Sequence, residues 1–456
     1  MPDSADLSPA PTPKLTFHQR RWQIQILLVT YFGYIGYYFC RKAYSLCKAP
    51  IAVSLELDKD TEATLLGIPW MVFLFCYMAG QFINGALGRK LGSRVLLVVG
   101  MAGTLFCSIG FGLANSMAAF TCLMALNGLF QSSGWPASVG AVAPWLREHE
   151  RGKLMGLWTT NYSFGSMAVK AFVAQMLGVT LITGVAVWQT AFWSCSLMTL
   201  IIWVLVVLFQ RNKPEDVGLP PFATEKDELA ETTDAGEIPT AQERSFFSIL
   251  FTPTVLMMGA VYFCLKFLRY AIDSWLPYMF HSEFQLDYRS SGFYSLVFDM
   301  LGIAGGIAAG WALDKVFRGR WRGLCLLMVI GMVGCYLLVY LFGHLHPVVL
   351  SVLTGFVGFM LFGPDTILAG AASISVGGKH EAIAAAGIIN GIGSIGPIVQ
   401  ELVVARLLDQ YDKSMTPVNI LFLSMACVSA FLLGILYVRQ RRRDRVAALA
   451  SRGSPR

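Results

Sequence analysis

Twelve apolar runs, most of them long enough to cross a bilayer, are separated by short polar or turn-rich joints. About 20 consecutive apolar residues span the hydrocarbon core as a helix, and inside lipid each segment must satisfy its own backbone. A chain built this way is expected to be a polytopic helical membrane protein. Its composition agrees: 55% of residues are hydrophobic and 14% charged, with mean hydropathy +0.58, against roughly 25% charged in soluble proteins. The expected spans are 22–47, 63–87, 94–114, 117–145, 154–178, 183–209, 253–280, 290–313, 324–343, 347–376, 382–408 and 416–438. The ten cysteines include no C-x-x-C and the six histidines no H-x-x-x-H, so neither a metal site nor covalent catalysis is indicated, and no cofactor is expected.

The polar stretch "QRNKPEDVGLPPFATEKDELAETTDAGEIPTAQERS" reads as a solvated linker. It divides the chain into a segment 1–21, a first half 22–209, a linker 210–252, a second half 253–438 and a basic tail 439–456. Lysine and arginine gather in one set of joints, at Arg20 and Arg21, Arg94, Arg147, Lys315 to Arg322 and "RQRRRDR". The opposite joints, such as "LELDKDTE" and "HSEFQLDYR", are acidic or nearly uncharged. By the positive-inside rule both termini are cytoplasmic. The basic balance of +7 is thereby a topology signal, and no nucleic acid partner is expected.

The halves repeat. Arg41 and Arg269 lie 228 positions apart, as do Pro136 and Pro364, and Gly165-Ser166 and Gly393-Ser394. "GALGRKLGSR" answers "GWALDKVFRGR" at 225. Parallel six-helix repeats about an axis along the membrane normal describe an all-α major facilitator fold, twelve transmembrane helices in two pseudo-symmetric halves, with the substrate site between them at mid-depth.

"GYIGYYFCRKAYS" places Arg41 and Lys42 near the middle of the first run. Each strong charge at a bilayer centre costs about 2.5–3.5 kcal/mol on insertion scales. An isolated arginine there usually snorkels to a headgroup, but Arg41 is central and so is its repeat partner Arg269. Two guanidinium forks meeting at the pseudo-two-fold axis suit one tetrahedral dianion, phosphate or a phosphate monoester, with sulfate or a dicarboxylate as alternatives. Tyr38 and neighbouring tyrosines lie at helical spacing from Arg41; Tyr77, Trp135, Trp158 and Tyr162 mark later helices. Their hydroxyls and rings suit the organic part of such a ligand. The intramembrane acids Asp273, Asp299, Asp365 and Glu401 are expected to neutralise Lys170, Lys266 or the arginines, or to switch partners during transport.

From about residue 20 to 440 the chain resembles the organophosphate:phosphate antiporters of the major facilitator superfamily, the glycerol-phosphate and hexose-phosphate exchangers. "YYFCRKAYS", "NGLFQSSGWPASVGAVAPWL", "NKPEDVGLPP", "FLRYAIDSWLPYM", "AGWALDKVFRGR" and "FGPDTILAG" carry the resemblance. It implies that Arg41 and Arg269 grip the substrate phosphate, and that Tyr38, Tyr77, Trp135 and Trp158 line the cavity. It also matches Asp299 to a family acid, and places Asp314 in a cytoplasmic loop motif that caps a helix or pairs with basic residues. Lys42 and Lys266 are expected to raise the local positive potential. The sequence departs from the family at Tyr162, where glycerol-phosphate exchangers have histidine, at Gln81, and at Lys266 in place of tyrosine; Lys170 has no family counterpart. The expectation is an organic phosphate ester, a sugar phosphate rather than glycerol phosphate, exchanged for inorganic phosphate by a monomer in a bacterial inner membrane. Proton-coupled symport of another solute and sugar-phosphate reception are the alternatives.

Overall fold

Thr16 starts the first helix by a reciprocal cap: the Gln19 N–H donates to its hydroxyl at 3.3 Å, and its own N–H donates to the Gln19 side chain at 2.9 Å. Helix α1 then runs over Phe17–Ser54. In chain order follow α2 (Glu62–Leu91), α3 (Ser93–Phe111), α4 (Met117–Gln131), α5 (Gly134–Val142), α6 (Asn161–Leu177) and α7 (Val187–Phe209). The second half comprises α8 (Pro253–Phe284), α9 (Tyr288–Lys315), α10 (Trp321–Phe342), α11 (Pro347–Ala369), α12 (Ala371–Gln410) and α13 (Met415–Arg452). The computed structural model describes residues 15–147, 150, 154–155, 157–222, 251–318, 320–369 and 371–452, so most of the expected linker lies outside the described residues.

Several boundaries differ from expectation: α1 runs on to Ser54 and α13 to Arg452, past the expected 47 and 438. The run 117–145 is two helices, because the Pro136 ring collides with the carbonyl four residues earlier. The break falls at Ser132-Ser133, where the Ser133 N–H bonds to Phe130, three residues back, at 3.3 Å. Within 154–178 a turn at Thr159-Thr160 separates the helical residues 154–155 and 157–158 from α6. The joint expected between 376 and 382 is helical: α12 passes through Gly377-Gly378, whose cost of about 1 kcal/mol per glycine does not stop a helix that meets no proline there. Nine helical segments among the described residues are long and apolar enough to cross a membrane. The other expected spans fall on α1, which is rich in tyrosine and cations, on the split α4–α5 and on the 17-residue α6. Asp287 caps α9; hydrogen bonds from the Ser290 hydroxyl and N–H hold its carboxyl below the usual range.

The helices pack in two copies of one pattern. In the first half α1 packs on α6 and α7, α2 on α4, and α3 on α4 and α7. In the second, α8 packs on α12 and α13, α9 on α11, and α10 on α11 and α13. Close approach depends on small residues at equivalent places: a Cβ on Gly128 would meet the Phe73 main chain, and one on Gly358 the Phe298 main chain. Between the halves, α2 meets α12 and α6 meets α9, while α1 meets α8. The outward faces are apolar, with Phe106, Ile307 and Phe431 among the most exposed, as a lipid-facing belt requires.

Candidate functional site

The charged residues of the interior lie where the halves face each other. Ion pairs and hydrogen bonds tie the halves together from Lys42 toward the acidic joints. Lys42 pairs with Asp273, and Lys170 bridges Asp273 at 2.8 Å and Asp299 at 2.5 Å. Further along, Lys48 pairs with Glu401 and donates to Ser274 at 2.8 Å. At the loop end the Tyr278 hydroxyl donates to Glu62 at 2.8 Å, and the Ala63 and Thr64 N–H groups donate to Asp409.

On the other side of Arg41, toward the start of α1, the halves part around a cavity of about 400 Å³. The first half contributes Tyr34, Tyr38, Arg41, Tyr77, Gln81, Trp135 and Tyr162; the second contributes Tyr262, Lys266, Arg269, Tyr270, Asp365, Asn390 and Ser394. A recess of about 80 Å³ continues inward past Arg41 and Arg269 to Lys42, Asp273 and Asp299.

Arg41 is held from behind. Its Nε donates to the Gln131 Oε1 at 2.7 Å, Gln131 donates to Asn127 at 3.1 Å, and Asn127 donates back to the Cys40 carbonyl at 3.2 Å. The guanidinium sits 4.7 Å from the Tyr77 ring centroid and 5.2 Å from that of Tyr38, a cation–π cradle. Its terminal nitrogens donate to no described residue, so the fork remains available to a ligand. Arg269 instead pairs with Asp365 and lies 4.2 Å over the Phe362 ring.

Several expected roles change. Lys42, expected to raise the potential of the site, is buried and neutralised by Asp273. Glu401 pairs neither with Lys170, Lys266 nor with an arginine but with Lys48, which no motif marks and whose one signal in the sequence is its place two turns beyond Arg41 on α1. Trp158 is 2% exposed behind Trp135, its ring 5.6 Å away and its indole N–H donating to Thr30 at 3.0 Å, so Trp135 forms the wall and Trp158 supports it. Lys266 takes no carboxylate among the described residues: its ammonium donates to Asn390 at 2.8 Å and Ser394 at 3.2 Å, 4.7 Å from the Tyr262 ring. Asp314 is exposed in the last turn of α9 and forms no ion pair with a described residue. Gln131, Tyr270 and Asn390 join the site without having been singled out.

This geometry can hold an anion between two guanidinium groups from opposite halves, with aromatic walls around it. The Major Facilitator Superfamily model matches residues 30–401. The chain is similar to the "Sugar phosphate exchanger 3" of Xenopus laevis, 26% identical over 91% of this chain and 92% of that one. The "Glycerol-3-phosphate transporter" of Bacillus subtilis is 25% identical over 84% and 85%, and the "Membrane sensor protein UhpC" of Escherichia coli 24% over 89% and 92%. In fold it resembles a D-xylose-proton symporter, with TM-score 0.69 at 14% identity, covering 90% of this chain and 97% of that one. The nucleoside transporter NupG gives TM-score 0.69 at 9% identity, covering 91% and 100%. The chain belongs to the Major Facilitator Superfamily and, within it, to the organophosphate:phosphate antiporter family.

Proposed function

We propose that this membrane transporter of phosphate esters exchanges an organic phosphate, a sugar phosphate in preference to glycerol phosphate, for inorganic phosphate by alternating access. The observation that carries the reading is the placement of Arg41 and Arg269, from opposite halves, on one cavity, with the Arg41 fork open to it. A phosphate dianion would take two oxygens to Arg41 and compete with Asp365 for Arg269. Six interior cations, Arg41, Lys42, Lys48, Lys170, Lys266 and Arg269, face four carboxylates, Asp273, Asp299, Asp365 and Glu401. Closing the empty cavity would bury that positive excess away from water, which opposes the switch; a bound dianion offsets it and draws the halves together. An obligatory exchange follows, because only the loaded site crosses.

The positive-inside rule puts the basic joints in the cytoplasm. The cavity lies toward that end and the ion-paired closure toward the other, so the conformation is read as inward-facing, in a bacterial inner membrane. The four carboxylates each hold a cation, which supports reading them as counter-charges that a substrate anion competes with, as an exchanger needs. The sensor among the relatives motivates a second reading, reception without turnover. Proteoliposomes preloaded with phosphate test both. Uptake of labelled hexose phosphate that needs internal phosphate and survives an uncoupler is expected. Loss of uptake on uncoupling would mean symport; binding without counterflow would mean a receptor.

A further inference from the structure

Among the interior cations of the described residues, Arg41 and Lys266 alone have no carboxylate partner. Arg41 has its place in the phosphate site proposed above. Lys266 stands one turn before Arg269 on α8, half-buried on the same cavity wall. Its ammonium hydrogen-bonds only to neutral groups, the Asn390 and Ser394 oxygens, beside the Tyr262 ring; the nearby Asp365 carboxylate acts on it through space but is paired with Arg269. Because Asn390 accepts from Lys266 through Oδ1, its Nδ2 hydrogens are left for another acceptor, and that nitrogen donates to no described residue. An ammonium and an amide NH₂ side by side, with no carboxylate of the described residues bonded to either, form a cradle for a carboxylate.

We propose that Lys266 and Asn390 form a second anionic subsite, so that the organic substrate is a phosphate ester that also bears a carboxylate, such as a phosphorylated sugar acid or hydroxy acid. The proposal rests on the phosphate-ester reading. A neutral polyol would satisfy the hydrogen bonds here but leave Lys266 sharing Asp365 at a distance with Arg269, whereas a carboxylate gives it a bonded counterion.

The test uses matched pairs of esters, glycerol 3-phosphate against 3-phosphoglycerate and glucose 6-phosphate against 6-phosphogluconate, as competitors of radiolabelled phosphate counterflow by the full-length protein in proteoliposomes. The same four esters are compared by thermal stabilisation of the protein in detergent. In the parent protein the carboxylated member of each pair is expected to bind about tenfold or more tightly, the size of one charge-assisted hydrogen bond. Lys266→Gln should collapse that ratio toward one, and Lys266→Arg should keep most of it. Equal competition by both members of each pair in the parent protein overturns the subsite. So does a Lys266→Gln ratio that stays at the parent value while both esters weaken together, which would make Lys266 a third ligand of the phosphate. Absence of phosphate counterflow would instead sink the exchange reading, and the stabilisation ratios would still decide the subsite.

Discussion

The Lys48 ammonium meets the Glu401 carboxylate across 353 positions of chain, at a point where neither side chain is exposed. Lys48 is on α1 and Glu401 on α12, so the pair joins the two halves. The Ser274 hydroxyl donates to Glu401 at 2.9 Å, Gln400 donates at 2.7 Å, and the Trp275 ring lies 3.4 Å from the ammonium. Removing one partner of a buried pair leaves an uncompensated charge, costing about 3–5 kcal/mol, whereas replacing both by apolar side chains is often close to neutral. Glu401→Gln should therefore lower the thermal midpoint of the detergent-solubilised protein markedly. Lys48→Met together with Glu401→Met should restore most of it. A single variant as stable as the parent would show that the pair does not hold the closure.

Much of this was legible in the sequence, and the failures have physical causes. The offset that pairs Arg41 with Arg269 needed only the repeat, and both residues line one cavity. The partners of the acids were not legible, because helical spacing tells which face a residue occupies but not which helix of the other half opposes it. Lys42 and Lys48 are both on α1, yet they meet Asp273 on α8 and Glu401 on α12. Pro136 was visible as a repeat marker, while its effect as a breaker of α4 depends on the carbonyl at Ser132.

The two tryptophans illustrate the same limit, and they can be separated. Trp135 faces the cavity, whereas Trp158 is sealed behind it with its indole bonded to Thr30. Trp158→Phe should reduce stability by about 1 kcal/mol, the usual worth of one hydrogen bond, and leave the ratios among competing phosphate esters as they are. Trp135→Ala should alter those ratios. Competition assays alongside thermal unfolding distinguish the two; altered ester ratios in Trp158→Phe would place that ring in the site after all.

Close packing of α9 on α11 makes a sharp contrast between two glycines of one helix. A Cβ at Gly305 would fall on the Phe359 main chain, but at Gly310 it would meet nothing within 4 Å. Gly305→Ala is expected to cost about 1–3 kcal/mol through overpacking, and Gly310→Ala to be neutral or slightly stabilising through helix propensity. Expression and thermal midpoint of the two variants give the comparison.

Orientation is open to direct labelling. Single cysteines at Ser282 or Gln285, in the joint after α8, should react with an impermeant maleimide added to intact cells. Cysteines in 440–450 or in the linker 225–235 should react only after the membrane is opened. The reverse pattern would invert the topology and make the cavity outward-facing.

Arg41 and Arg269 are proposed to form the anion site together, and phosphate counterflow by their lysine variants is the decisive measurement. Arginine to lysine keeps the charge and so the inserted protein, but it replaces a planar fork by a point charge that cannot hold two phosphate oxygens at once. Losing one charge-assisted hydrogen bond, about 1.5–3 kcal/mol, corresponds to about tenfold or more in phosphate affinity at ~1.4 kcal/mol per decade. Arg41→Lys and Arg269→Lys are each expected to show that loss at near-normal expression. Arg20→Lys, whose parent side chain bonds Gln23 and Glu150 at the start of α1, should exchange like the parent. Counterflow at parental affinity in both Arg41→Lys and Arg269→Lys would mean that the arginine pair is not the anion site.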